Sequence, residues 1–274
     1  MKGYDGQDAA ALLEACVRVV RESGDIVRRH WDVPSHVRHK GAVDLVTETD
    51  LAVEAFLKAH LAPLLPGAAF LAEESSAEAG PGAAGAPCWI IDPVDGTTNF
   101  VHRLPQVSTS VALWADGQVR LGVVNAPMLG GDGECFWAAR GGGAFLNGRR
   151  VTVSGAAALP DALACTGFPY ELEGRLPVIL ERLRRVLPAT QGMRRLGSAA
   201  LDLAFVACGR LDVFYEGWLK PWDLAAGWLL VEEAGGRVSG LDGAPFRFGD
   251  ALLATNGRLH AAMTELLGPT VGGV

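Results

Sequence analysis

The 274-residue sequence lacks an excess of positive charge. Its 24 Lys and Arg face 31 Asp and Glu, a formal charge of −7. An electrostatic grip on nucleic acid needs a basic domain or a clustered basic face, so that class is disfavoured. Paired cysteines are also absent. Cys16, Cys88, Cys135, Cys165 and Cys208 are odd in number, scattered and never in CxxC spacing. They read as buried, reduced thiols of a cytoplasmic protein and not as zinc ligands or a redox pair. No run of about 20 apolar residues is present to cross a bilayer. Glu14, Arg18 and Arg21 interrupt the apolar residues near the start, against a secretory leader. The glycine-rich stretch from Gly130 to Gly143 carries no phosphate-loop Gly-Lys-Ser/Thr ending, which leaves NTP binding without support.

What the chain does have is apolar mass, 49% hydrophobic against 20% charged residues, enough for a large core. From Gln7 to about Arg29, Leu13, Val17, Val20 and Val27 recur at helical spacing, predicting an amphipathic helix. A second helix follows Thr47, where Thr47 and Asp50 have capping-box spacing. Between Ser75 and Pro87 no large apolar residue occurs, which predicts a mobile surface loop. Short runs at Cys88 to Asp92, Val107 to Trp114, Val119 to Asn125 and Glu134 to Ala139 read as strands of a mostly antiparallel sheet. Asp116-Gly117 and Asn147-Gly148 are two-residue hairpin turns. From Leu159 onward strands and helices alternate, with helices expected over Leu172 to Val186, Ala199 to Ala207 and Trp222 to Ala234. A strand is expected at Leu211 to Glu216 and a short one near Leu252. The pattern is α+β or mixed α/β, sheets layered between helices. The length allows one large domain or two closely packed ones.

The chemistry concentrates in CWIIDPVDGTTNF, Cys88 to Phe100. An apolar strand delivers Asp92 at its end, Pro93 is expected to stop the ladder, and Asp95 follows, so two carboxylates converge and repel unless a cation lies between them. Gly96 clears space beside the backbone, and Thr97 to Asn99 look like a first helical turn with free amides, an anion site. Alone, such a segment is more often a turn with a capping Asp. The same bland reading is the stronger one for each of the other acidic features alone. These are Glu73 and Glu74 after a short apolar run, Asp50 in the segment Lys40 to Asp50, and Asp223 at the head of an apolar helix.

In combination they are specific. DPVDGTTNFVH, read with KGAVDLVTETD, EES, GSAALDLAFVACGRLDVFYE and PWDLAAG in that order, resembles the inositol monophosphatase family over nearly the whole chain. The resemblance implies a layered αβαβα sandwich of the sugar-phosphatase type, a single unit over 1–274 with an α+β part to about 155 and an α/β part from about 156. It also implies Mg²⁺-dependent hydrolysis of a small sugar-like phosphate monoester, inositol 1-phosphate first, by direct attack of an activated water. Glu73, Asp92 and the Val94 carbonyl would hold one Mg²⁺, and Asp92, Asp95 and Asp223 a second, with a weaker third near Glu73. Mn²⁺ could substitute, since every donor is a hard oxygen. Thr97 and Asp50, assisted by Glu73, match the pair that orients and deprotonates the water. The amides of Gly96 and Thr97 would receive phosphate oxygens, Gly197, Ser198, Ala199 and Glu216 would line the alcohol side, and Asp95 and Asp223 belong to the same substrate-binding set. A homodimer and sensitivity to Li⁺ are expected on the same ground.

Fructose 1,6-bisphosphate, histidinol phosphate and 3′-phosphoadenosine 5′-phosphate are alternative substrates. A regulatory binding protein with vestigial catalysis is an alternative of another class. His30, His36 and His39 around Trp31 read as an exposed turn, His102 as a structural residue, and Trp218, Trp222 and Trp228 as core packing.

Overall fold

The structure, a computed structural model, describes residues 7–33, 37–39, 45–76 and 86–268. Residues 40–44 of the matched segment, His36, and 77–85 of the loop expected after Ser75 lie outside them. The first half runs α1 (Gln7–His30), β1 (Val37–His39), β2 (Leu45–Thr47), α2 (Glu48–Leu61), β3 (Ala69–Ala72), β4 (Cys88–Asp95), α3 (Thr97–Val101), β5 (Ser108–Ala115), β6 (Gln118–Ala126), β7 (Glu134–Ala139), β8 (Gly143–Leu146) and β9 (Arg149–Val151). Strands β3 to β9 form one seven-stranded sheet in sequential order, antiparallel except for the β3–β4 pair. Both hairpin turns form with the positive φ that such turns require, Asp116 at 52° and Asn147 at 48°, each followed by a left-handed glycine.

The apolar stripe of α1, with Val20 and Val27, packs with Val53, Leu57 and Leu61 of α2 against one face of this sheet, around Trp89, Ile91 and Val111. Each such buried large side chain contributes roughly 1.5–3 kcal/mol. The capping box is present at α2: the Asp50 carboxylate accepts from the Thr47 amide while Thr47 Oγ1 accepts from the Thr49 amide.

The second half contains β10 (Leu163–Thr166), α4 (Leu176–Ala189), β11 (Gly192–Arg194), α5 (Ala199–Ala207), β12 (Val213–Glu216), α6 (Pro221–Glu233), β13 (Arg237–Gly240), β14 (Leu252–Thr255) and α7 (His260–Leu267). Its five-stranded sheet is mixed, in the order β11-β10-β12-β14-β13. Helix α4 starts at Leu176 and not Leu172, because Gly174 takes φ 72° and breaks the turn before Pro177 can open the helix. Helices α5 and α6 are sandwiched between the two sheets, and α4 and α7 cover the outer face of the second, completing five αβαβα layers. α5, AALDLAFVA, is apolar nearly all round, as a helix buried on every side must be. Two glycines let α6 sit close: a Cβ at Gly122 would meet the Ala226 backbone at 2.8 Å, and one at Gly227 would meet Leu203 Cβ at 2.5 Å. That close seating aims the first turns of α5 and α6 at the end of β4.

Candidate active site

Pro93 does not end β4. The strand continues to Asp95 through a register shift, with Asp92 opposite Ser110 and Asp95 opposite Ser108. The bulge absorbs the proline's missing N–H, and the Pro93 carbonyl is taken by Thr109 Oγ1 at 2.9 Å. The result turns both acids toward the same end of the sheet. Gly96 then adopts φ 95°, a left-handed conformation suited to glycine, and Thr97 opens α3 as expected. Asn99 braces the turn from behind, its Nδ2 donating to the carbonyls of Gln106 at 2.8 Å and Leu196 at 2.7 Å.

Four helix N-termini meet this strand end. Asp50, in the first turn of α2, is fully buried. Its Oδ2 accepts from the Thr47 amide at 2.8 Å and from Thr47 Oγ1 at 2.5 Å, and its Oδ1 lies 3.3 Å from Thr97 Oγ1. Thr97 has one hydroxyl proton and a second acceptor, the Val94 carbonyl at 3.1 Å, so it can turn between the two. Asp95 Oδ2 is clasped at the start of α5 by Ser198 Oγ at 2.7 Å and the Ala200 amide at 2.8 Å. Asp223, three residues into α6, accepts from the Lys220 amide at 2.7 Å, the capping role its position suggests. Glu73 follows β3, its amide bonded to the Ile91 carbonyl.

The carboxyl groups raise one another. Burial pushes Asp92 well above the ordinary carboxylate range, and Glu73, Asp95, Asp223 and Asp50 each add to the rise. Burial also lifts Asp223, helped by Asp95 and Glu73. Asp50 is pushed by burial up to about 6 against the pull of its Thr47 hydrogen bonds. Asp95 is pushed by burial up to about 6 against Ser198 and the Ala200 amide. Glu216, at the end of β12, rises to about 8 through burial and the neighbouring Asp202, with Arg195 opposing.

The donor set fits divalent cations. Asp92 Oδ1 is buried with no hydrogen-bond partner among the described residues, in the middle of like charges. A buried acceptor so placed calls for a positive charge. Among the described residues no three His, Cys, Asp or Glu side chains converge as a ready-made cage. Asp95 and Asp223 each direct an oxygen to a backbone amide instead.

Ser198, expected on the alcohol side, bonds Asp95 and Ser108 through its hydroxyl. Gly197 precedes it, and Ala199 adjoins Asp95 through its amide. Ala200, Thr109 and Asn99 were missed. An amide or a bracing carboxamide leaves no mark in composition, although Ser198 before an apolar helix was a readable cap signal. Asp202 on α5 was missed too; it is 1% exposed with Oδ1 lacking a hydrogen-bond partner among the described residues. His102 is exposed at the end of α3, and His30 Nδ1 contacts Thr49 Oγ1 at 3.0 Å. Trp222 and Trp228 pack on the core as expected, but Trp218 does not; Arg175 and Arg182 stack on its ring at a pocket beside Glu216.

Residues 8–271 match the family model described as the inositol monophosphatase family. An inositol-1-monophosphatase of Mesorhizobium japonicum is 42% identical over 85% of this chain and 87% of its own length. A Nus factor SuhB of Pseudomonas aeruginosa is 43% identical over 85% of this chain and 86% of its own. The crystal structure of the extragenic suppressor protein SuhB from Bartonella henselae superposes with a TM-score of 0.88 at 37% identity, covering 95% of this chain and all of that one. With fold, carboxylate edge and sequence in agreement, the chain belongs to the inositol monophosphatase family, whose members are metal-dependent phosphoric monoester hydrolases.

Proposed function

We propose that the chain hydrolyses a small sugar-like phosphate monoester with Mg²⁺, inositol 1-phosphate being the first substrate to test. The observation that carries the reading is the buried Asp92, its Oδ1 without a hydrogen-bond partner among the described residues and its charge opposed by Glu73, Asp95, Asp223 and Asp50. Glu73, Asp92, the Val94 carbonyl, Asp95 and Asp223 are the residues that would hold Mg²⁺, or Mn²⁺ in its place, in two or three sites. When bound, the cations supply charge neutralisation and Lewis-acid activation of the phosphate.

The remaining work falls to the chain itself. Thr97 Oγ1 accepts a hydrogen bond from the attacking water and passes its own proton toward Asp50, the buried base whose raised pKa suits it to take a proton near neutrality. Glu73 would assist as one of the residues that hold the cation. The amides of Gly96 and Thr97 orient the phosphate oxygens. Ser198 and Ala200 keep Asp95 in place. Gly197, Ser198, Ala199 and Glu216 border the alcohol. The water attacks phosphorus directly, the bond from phosphorus to the alcohol oxygen breaks, and that oxygen takes its proton from solvent water, without a phosphorylated side chain. A homodimeric state, inhibition by Li⁺ and a cytoplasmic location belong to the same reading. The free state of all five cysteines supports the last.

Phosphate release from inositol 1-phosphate with Mg²⁺ tests the site. Asp95→Asn is expected to lose nearly all turnover, and unchanged turnover removes the proposed site. Comparing kcat/KM over inositol 1-phosphate, fructose 1,6-bisphosphate, histidinol phosphate and 3′-phosphoadenosine 5′-phosphate at one Mg²⁺ concentration assigns the alcohol. The relative named as a Nus factor motivates a second reading, a regulatory contact with vestigial catalysis. RNA affinity that persists at high salt, with no ester hydrolysed, would favour it. The charge of −7 stands against it.

A further inference from the structure

Helix α2 brings more to the acidic edge than Asp50. Asp50, Glu54 and Lys58 stand four residues apart, so they share one face of the helix. Asp50 meets Thr97 from the first turn. Glu54, one turn on, is 5% exposed, and a carboxylate so buried needs partners. It has two. Its Oε1 accepts from Lys58 Nζ at 2.9 Å, and its Oε2 accepts from the backbone amide of Glu74 at 2.9 Å, 20 residues away in the chain. Lys58 Nζ also donates to the hydroxyl of Ser75.

The amide held in this way comes directly after Glu73. The turn that carries Glu73 leaves β3, the edge strand of the seven-stranded sheet, so the sheet supports it from one side only. That support is the Glu73 amide on the Ile91 carbonyl at 3.1 Å. Ser76 closes the turn on itself, its Oγ accepting from the Ala72 amide at 2.8 Å and its amide donating to the Ala72 carbonyl at 3.0 Å. Glu54 and Lys58 grip the same turn from the helix, at two successive residues. An amide on a buried carboxylate is a charge-assisted bond, stronger than a neutral one and shielded here from water.

An ordinary helix-surface ion pair leaves both partners exposed and contributes little. In this one the Glu54 side chain is 6% exposed and that of Lys58 30%. Nor is Glu54 placed as another cation ligand. Both its oxygens are engaged, Lys58 neutralises it, and it is not among the acids that raise Asp92. It holds backbone without adding net charge to the acidic edge.

We infer that Glu54 is a positioning residue: steadied by Lys58, it fixes the Glu74 amide and so holds Glu73 where Glu73 can take a cation, from the same helix face that places Asp50. The inference rests on the metal-dependent phosphatase reading and deepens it. A ligand on an edge turn keeps its affinity only if groups behind it fix its direction. Glu54 therefore governs how tightly the cation is held, and has little effect on the rate once it is bound.

The test is Mn²⁺ binding to the full chain without substrate, followed by loss of the free-ion electron paramagnetic resonance signal. Glu54→Met removes the acceptor at similar length, and Glu54→Gln keeps an oxygen for the amide. Glu54→Met is expected to weaken Mn²⁺ binding about ten- to a hundredfold, and Glu54→Gln to recover part of the loss. In a Glu73→Gln background, Glu54→Met should change Mn²⁺ affinity by less than about twofold, because the ligand it acts through is gone. Unaltered affinity in Glu54→Met overturns the inference. An equal loss in both backgrounds also overturns it, since a general disturbance of the fold produces that result. With inositol 1-phosphate, the Mg²⁺ concentration for half-maximal rate should rise by the same factor in Glu54→Met, while kcat at saturating Mg²⁺ stays within about threefold of the parent. A loss of kcat that Mg²⁺ does not restore counts against the positioning role. A parent chain that binds Mn²⁺ and hydrolyses no ester removes the phosphatase reading alone, and the Mn²⁺ comparison still decides the role of Glu54. A parent that takes up no Mn²⁺ overturns both.

Discussion

The end of β4 and the end of β12 are built alike but bury different polar atoms without a hydrogen-bond partner among the described residues. Each is a buried strand whose last residues turn at a glycine beside a helix. At β4 the neighbours are acids, so that Asp50 and Asp95 are clasped by hydrogen-bond donors while Asp92 retains an oxygen without one. At β12 the Arg182 Nε and the Tyr215 hydroxyl are buried without a hydrogen-bond partner among the described residues, beside the Glu216 carboxylate. The difference teaches that a strand end buries polar atoms of either kind, and that which of them is left without a partner depends on what the neighbouring elements bring.

The sharpest way to break the comparison is Asp92→Asn. Its kcat/KM is expected to fall by about 10²–10³-fold or more. The Tm measured with a chelator should rise by about 2–4 °C, because one of several repelling charges is gone. A variant that loses both activity and metal-free stability would mean that Asp92 holds the fold together, and the charge argument would fail. Next comes Gly167→Ala. A Cβ there would collide with the Glu216 carboxylate, so the acid must shift away. KM for the alcohol should rise about tenfold while Tm stays nearly constant. An unchanged KM would show that Glu216 does not touch substrate.

Smaller effects sharpen the same contrast. Ser198→Ala removes one of two clasps on Asp95, and kcat is expected to fall about three- to tenfold. The Ser198 bond lowers the Asp95 pKa, so its loss moves the acid limb of the rate profile to higher pH. A limb that moves the other way rules out this role.

The smallest expected effect is on stability against pH. Asp50 and Asp95 sit at about 6 and Glu216 at about 8 in the folded chain, all above their unfolded values. Groups raised in this way favour the folded state most below their unfolded pKa, and that stability is lost as pH climbs through the folded pKa. The chelated chain should therefore melt a few degrees lower at about pH 8 than at about pH 5, and Mg²⁺ should remove most of the fall. A melting temperature that rises over this range without metal would contradict the assignment.

Much of this was readable before any coordinates. The capping box at Thr47 and Asp50, the two hairpin turns and the helix Ala199 to Ala207 follow from local chemistry that needs only neighbouring residues. Asp92, Asp95 and Asp223 stood out through their motifs. The bulge that carries β4 past Pro93 was not legible, because it depends on Thr109 across the sheet accepting the extra residue's geometry. Nor was the start of α4, where a left-handed Gly174 outweighed the apolar pattern. Trp218 looked like core because apolar size is all that a sequence shows of it. Its place at a pocket depends on Arg175 and Arg182 arriving from another layer.

The sequence by itself determined the acidic and apolar residue types, the periodicity of the helices and the turns that must be tight, because these depend on side chains a few positions apart. Tertiary structure alone decided which buried polar atoms, Asp92 Oδ1 above all, lack partners among the described residues. Those are properties of desolvation, and desolvation is set by what distant segments bring together.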